Sequence, residues 1–252
     1  MQTDRRFGGV ARLYGVVGAE RIASAHVAVV GIGGVGSWAA EALARSGIGA
    51  LTLIDLDHIA ESNINRQVHA LEATLGQAKV LAMRDRILSY HPDCQVSCIE
   101  AFVEAANWPD VLPADVGAVM DACDQVDAKT AMAEWARHNQ APFIAAGAAG
   151  GKRHAHLVEI DDLARATHDP LLAQLRYRLR KEHGAPREGK KIGVSCIYSP
   201  ETVQQPDPSC AAATDGTLNC HGYGSVVSVT ATFGLCAAGW LLDRIAAGSR
   251  SP

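Results

Sequence analysis

The chain has 252 residues, 48% of them hydrophobic and 20% charged, with a net charge of −4. That length supports one large α/β domain, or a core with an appended half, and should bury roughly 70–75% of its unfolded surface without a staple. An acidic balance does not by itself predict nucleic-acid binding, and seven cysteines with no Cys-x-x-Cys pair argue against a disulfide framework or a structural zinc tetrad and point to a reducing cytoplasm.

The first residues, Met1-Gln2-Thr3-Asp4-Arg5-Arg6, lead into no apolar signal segment. The segment 5–22 ends in a helix-like run, and a first strand is predicted at 26–31 with its helix at 35–46. Between them lies Gly31-Ile32-Gly33-Gly34-Val35-Gly36. Glycines permit a tight turn with positive φ, and the N–H groups opening the next helix favour an anion. A nucleotide phosphate is therefore the expected guest. The second strand, 50–55, ends at Asp55, about where an acid that holds ribose hydroxyls belongs, with Asp57 as its competitor.

A loop spans 57–67 and a helix 76–89, broken by His91-Pro92-Asp93. Strands at 95–100, 116–121 and 142–146 and a helix at 127–138 continue the alternation. Alternating strands and helices imply a Rossmann-like, doubly wound, mainly parallel sheet. After Gly147 the pattern changes. Strands are predicted at 154–160 and 192–198 with no regular crossover helix between them, so antiparallel strands should extend the sheet in this half. On the first of these, His154 and His156 would share a polar face. Residues 226–242 are uncharged and largely apolar but diluted by Ser228, Thr230, Thr232, Gly234 and Gly239. They read as a buried core helix rather than a membrane span, with peripheral or single-span membrane association as the open alternative.

The loop after the second strand carries Asp57, Ser62, Asn63, Arg66 and Gln67, with Lys79 thirteen residues beyond Arg66 and Asp121-Ala122-Cys123-Asp124 ending the fourth strand. A dehydrogenase does not need this set, with Arg and Lys beside the cofactor's phosphates and an acid where a metal could sit. An enzyme that joins a carboxylate to the α-phosphate of ATP does, because two anions must meet and pyrophosphate must leave.

On these residues the chain resembles the ubiquitin-activating-type adenylyltransferase superfamily over roughly 5–150. The resemblance implies a single adenylation domain over 1–252, with an ATP-binding half at 1–150 and a substrate half at 151–252. It implies that Gly31, Gly33 and Gly34 line the phosphate turn and that Asp55, with Asp57, serves the ribose. Asn63, Arg66, Gln67 and Lys79 would bind phosphates, and Asp124 would hold Mg²⁺. It also implies a homodimer in which an arginine, Arg12 with Arg5 and Arg6 as competitors, reaches the partner's ATP.

Three further segments make the whole chain similar to the tRNA threonylcarbamoyladenosine dehydratase branch: 7–15, the glycine-rich 145–151, and 219–225. That branch implies ATP-dependent dehydration of a threonylcarbamoyl group on a tRNA adenosine, through an acyl-adenylate that closes on itself. The alternative is adenylation of the C-terminus of a ubiquitin-like or sulfur-carrier protein, and a sulfur-transfer-type partner stays open. A monovalent cation is a further candidate near 147–151. Residues 176–191 hold seven cations against two acids, a strip suited to tRNA or simply a solvated face. Cys220 beside His221 invites a nucleophile reading, but neighbours on a strand point apart and ring closure needs no thioester.

Overall fold

The computed structural model describes residues 5–187, 189–207 and 223–248. The readings at Cys210, Asn219, Cys220 and His221 lie outside the described residues. Seven strands form one sheet: β1 (His26–Val30), β2 (Ala50–Ile54), β3 (Gln95–Ile99), β4 (Ala118–Asp121), β5 (Phe143–Ala146), β6 (Glu159–Asp162) and β7 (Ser195–Tyr198). Their order is β3-β2-β1-β4-β5-β7-β6. All neighbours are parallel except β6, which pairs antiparallel with β7. The extension is thus one more parallel strand and one antiparallel edge.

Alternate residues of β1 divide the core. Val27 and Val29 face one apolar layer, built from α1 (Gly8–Ser24), α2 (Gly36–Arg45), α3 (Lys79–Tyr90) and α6 (Val227–Ala247). Ala28 and Val30 face the other, built from α4 (Val126–Asn139) and α5 (Pro170–Glu182). This is the period of two expected of a strand buried on both faces. Across the first layer, Glu41 of α2 accepts from Arg86 of α3 at 2.9 Å. Burial opposes its charge, but Arg86 and Arg45 outweigh that and hold its carboxyl below the ordinary range.

The stretch 226–242 is a core helix. Among the described residues no helix is long and apolar enough to cross a membrane. The buried stripe of α6 runs Val229, Thr230, Phe233, Gly234, Ala237, Ala238, Leu241 and Leu242 and packs on α2. Gly234 sets the spacing: a Cβ there would lie 2.4 Å from the Val35 carbonyl oxygen and 2.8 Å from the Ala39 nitrogen.

Two expectations after Gly147 need correction. The strand expected at 154–160 begins only at Glu159, because a 3₁₀ turn, Ala155–Leu157, occupies its first half. His154 and His156 therefore share no strand face, although their rings lie 5.7 Å apart. The 161–190 span holds a regular helix, α5, that the sequence did not mark, although it joins the antiparallel pair β6 and β7 and is not a crossover between parallel strands. Asp169 caps it by accepting from the Leu172 N–H at 2.9 Å, and Pro170 fills its first turn.

Gly234→Ala should cost about 2 kcal/mol by overpacking against α2 and lower Tm by roughly 5 °C. Gly239, where a Cβ meets nothing within 4 Å, is the control. There alanine should leave Tm unchanged or raise it. Thermal unfolding followed by circular dichroism decides; equal behaviour of the two variants would remove Gly234 as the spacer.

Candidate active site

Strand β1 lies between β2 and β4, so its carboxyl end faces the crevice where strand order reverses, the usual ligand position in such sheets. Gly31 turns the chain there with φ +85°, and a Cβ would lie 2.9 Å from the Ala122 carbonyl carbon and oxygen and from the Cys123 nitrogen. No other residue meets both demands. Gly36 is as constrained, since its Cβ would lie 1.8 Å from the Gly31 oxygen. The turn opens straight into α2, whose N-terminus carries no side-chain cap.

Asp55 ties this turn to the next. One carboxylate oxygen accepts from the Ile32 N–H at 2.6 Å and the other from the Asp57 N–H at 2.8 Å. Burial raises its pKa, against the opposing pull of Lys79 and the two N–H groups. It therefore pins the turn, and its remaining lone pairs stay available to hydroxyls. Asp57 serves Lys79 instead: the ammonium donates to its Oδ2 at 2.6 Å. Lys79 is nearly buried, at 6% exposure, so it is not a surface cation.

The 57–67 loop brings the other expected residues to the same turn. Side-chain carbons of Arg66 and Thr230 would each be 3.3 Å from a Cβ on Gly34. The Arg66 guanidinium donates to the Ser62 carbonyl at 2.7 Å and to Asn65 Oδ1 at 2.9 Å. Its carbonyl accepts from the Trp38 indole at 3.0 Å. Gln67 is buried with its amide nitrogen 4.0 Å from a Cβ on Gly33, and its Oε1 has no partner among the described residues. Asn63 is buried and accepts from the Ala60 N–H at 3.0 Å.

Asp124 follows β4, half-buried, and among the described residues no hydrogen bond or ion pair engages it. A lone carboxylate beside a phosphate turn fits Mg²⁺, which takes one or two carboxylates plus substrate phosphates rather than a protein cage. Among the described residues no group of three or more metal-binding side chains exists. Asp121, three residues earlier, has another role. It is wholly buried and accepts from Lys129 at 2.8 Å and from the Cys123 thiol at 3.1 Å. Burial opposes the Lys129 charge, yet Asp121 and its neighbours hold that pKa up.

A second buried charge lies beyond the glycine-rich turn. Lys152, 2% exposed, donates to the carbonyls of His168 at 3.0 Å, Ser199 at 3.2 Å and Glu201. Three carbonyls from distant segments thus converge on an ammonium of the chain itself, one residue past the glycine-rich 147–151 turn. Burial lowers its pKa, against the opposing pull of Asp169 and Glu201. Nothing in the local sequence marked Lys129 or Lys152 as buried.

Arg12 is exposed on α1, its guanidinium 3.6 Å from a Cβ on Gly8, and so lies along its own helix. Arg6, a competitor for the role given to Arg12, pairs with Asp93 at 2.8 Å on the surface. In the basic strip, Arg176 donates to the Leu163 and Ala166 carbonyls, Arg180 to that of Pro186, and Arg178 pairs with Asp127. Lys181, Arg187, Lys190 and Lys191 are left exposed.

The ThiF family model matches residues 7–249. A tRNA threonylcarbamoyladenosine dehydratase of Escherichia coli is 42% identical over 96% of this chain and 94% of its own. One from Haemophilus influenzae is 39% identical over the same shares. A crystal structure of the E. coli tRNA N6-threonylcarbamoyladenosine dehydratase in complex with ATP superposes with a TM-score of 0.88 at 41% identity, covering 98% of this chain and 97% of that one.

His69, on the segment between Gln67 and Lys79, was not among the expected residues. It is 1% exposed with neither ring nitrogen partnered among the described residues. Burial, and then the charges of Lys79 and Arg86, pull its pKa down to about 4. An unfolded histidine titrates near 6.5, so between that pH and about 4 the unfolded state takes up a proton the folded state refuses. The contribution of His69 to stability is full above pH 6.5 and is lost as pH falls, by about 2 kcal/mol between pH 7 and pH 5. Urea midpoints at the two pH values should therefore differ less in His69→Gln than in the parent protein. An equal drop in both would show that His69 does not set this dependence.

Proposed function

The chain belongs to the ThiF family, and we propose that it is an ATP-dependent dehydratase of threonylcarbamoyladenosine in tRNA. One observation carries this reading. Arg66 against Gly34, and Lys79 linked through Asp57 and Asp55 to Ile32, set two cations around the phosphate turn. That turn belongs to a fold shared along its length with an ATP-bound dehydratase.

The chemistry follows from charge. The substrate carboxylate attacks the α-phosphorus of ATP, an acyl-adenylate forms, and pyrophosphate leaves. Arg66 and Lys79 offset the repulsion between the two anions and stabilise the departing one. Lys79 must exchange Asp57 for phosphate oxygens, which its flexible stem permits. Asp55 holds the ribose, and Asn63 and Gln67 complete the phosphate contacts. Asp124 would hold Mg²⁺, which supplies further charge neutralisation when bound. The ureido group of the same substituent then attacks the activated carbonyl and expels AMP. Both partners sit on one nucleoside, so the step is intramolecular.

The 1–150 half holds the nucleotide and the 151–252 half faces tRNA, in the cytoplasm where tRNA resides. Leu13, Val16 and Val17 are exposed apolar residues on either side of the kink at Gly15 in α1, next to Arg12 in the chain. Exposed apolar surface of this kind suits a two-fold interface that carries Arg12 to the partner's ATP.

Incubation with ATP, Mg²⁺ and modified tRNA should remove one water from the modified nucleoside by mass, with release of AMP. A protein ending in Gly-Gly, offered instead, should give no pyrophosphate exchange. No mass loss with tRNA would reject the activity. Arg66→Ala and Lys79→Ala should each slow turnover about 10²–10³-fold. Lys79→Ala, unlike Arg66→Ala, also removes a buried group and should lower Tm. Full turnover in either variant would contradict the phosphate assignment.

The interface makes a separate prediction. Arg12→Ala and Lys79→Ala proteins, each strongly slowed alone, should regain turnover when mixed and allowed to exchange subunits. One site of the mixed dimer then has both groups. No recovery would place Arg12 outside the partner's site.

A further inference from the structure

On the sheet face opposite α1 and α6, a groove of about 460 Å³ runs along α4. One side is the α4 face from Asp127 to Asn139; the other is Trp108 with Arg178 and His183 of the α5 end. Those α4 positions span about 18 Å, and the near end lies three residues past Asp124. The groove therefore starts beside the expected phosphate site and leads away from it.

Its lining has a particular chemistry. Trp135 and Trp108 meet edge to face, ring centres 5.6 Å apart at 86°. Trp108 is 8% exposed with its indole nitrogen sealed from solvent, so it backs the wall, and the half-buried Trp135 supplies the aromatic surface. Two carboxylates also line the groove. Asp127 pairs with Arg178, and Glu134 with His183 at 2.6 Å. Carboxylates repel a phosphate but accept from the N–H groups of a base. An aromatic surface and carboxylate acceptors together suit an unpaired nucleobase. The helix end that carries His183 bears Lys181 and leads to Arg187, Lys190 and Lys191, all exposed, where the phosphates of the same strand can be met.

We propose that this groove binds an unpaired base of the tRNA next to the modified adenosine. It then selects the strand context in which the adenosine is presented. The proposal rests on tRNA being the substrate. Trp135 and Glu134 become specificity residues outside the catalytic group, and Trp108 positions the Trp135 ring.

The test separates the two readings. Filter binding of modified tRNA to the full-length protein without ATP reports the groove, and water loss with ATP reports the activity. Trp135→Ala should weaken tRNA binding about ten-fold, the loss expected for one stacked base, while Trp135→Phe keeps most of it. ATP affinity, measured by calorimetry, should not change. Ala131→Phe, which plugs the groove without removing a core group, should weaken tRNA as Trp135→Ala does. An abasic residue on one side of the modified adenosine should weaken binding to the parent protein equally and add nothing in Trp135→Ala. Unchanged tRNA binding in Trp135→Ala and Ala131→Phe, or abasic losses that simply add, would overturn the proposal and leave the groove to a protein ligand.

Discussion

Everything in the site depends on how closely the chain leaving β1 approaches the chain leaving β4. At Gly31 the two backbones are so near that even a methyl group would strike Ala122. That contact fixes the turn, and the turn fixes the direction of α2. The second contact, Gly234 against Val35 and Ala39, holds α2 from the other side. The glycine turn is therefore clamped between a strand end and a helix. Its shape is set before any ligand arrives, which is how a site avoids reorganisation during reaction.

Around this frame the charges fall into two classes. Asp121 with Lys129, and Lys152 with its three carbonyls, are sealed from water and fully partnered. Buried pairs of this kind are weak evidence for net stability, but losing one member is costly. They sit at the ends of β4 and just past β5, where they hold the walls of the crevice. Lys79 differs. It is nearly buried too, but its partner Asp57 is exposed and the pair is open on one side. A cation so placed can change partners, whereas Lys129 cannot. The distinction between a structural and a working cation is thus one of access rather than residue type.

The same distinction explains what the sequence revealed and what it hid. The glycine turn after an apolar run and Asp55 at the next strand end were legible from local rules, and so was the spacing of Arg66 and Lys79. Gly34, Asn63, Gln67 and Asp124 took their expected roles from the resemblance to the adenylyltransferase superfamily. All but Asp124, which follows β4, gather along the turn and its neighbouring loop. Lys129, Lys152 and His69 were not legible because only burial gives them their roles, and burial is decided by segments far apart in the chain. Helix α5 was missed for a different reason. Its start signal, Asp169-Pro170, was present, but the run of cations that follows was read only as a tRNA-binding strip or a solvated face. In fact the side chains of Arg176, Arg178 and Arg180 turn back to carbonyls and to Asp127.

That finding changes what the basic strip can be. Seven cations in sixteen residues look like a single polyanion surface. With three arginines committed to holding α5 against its neighbours, the surface shrinks to Lys181, Arg187, Lys190 and Lys191. Four separated cations on an acidic body cannot provide tight, non-selective binding, since backbone affinity scales with the number of phosphates neutralised. Such a surface instead leaves room for recognition by shape and stacking. An enzyme that must find one modified adenosine among many tRNA positions gains from that weakness: non-specific contacts stay brief. The reactive carboxylate, which only the correct nucleoside carries, then decides whether ATP is spent.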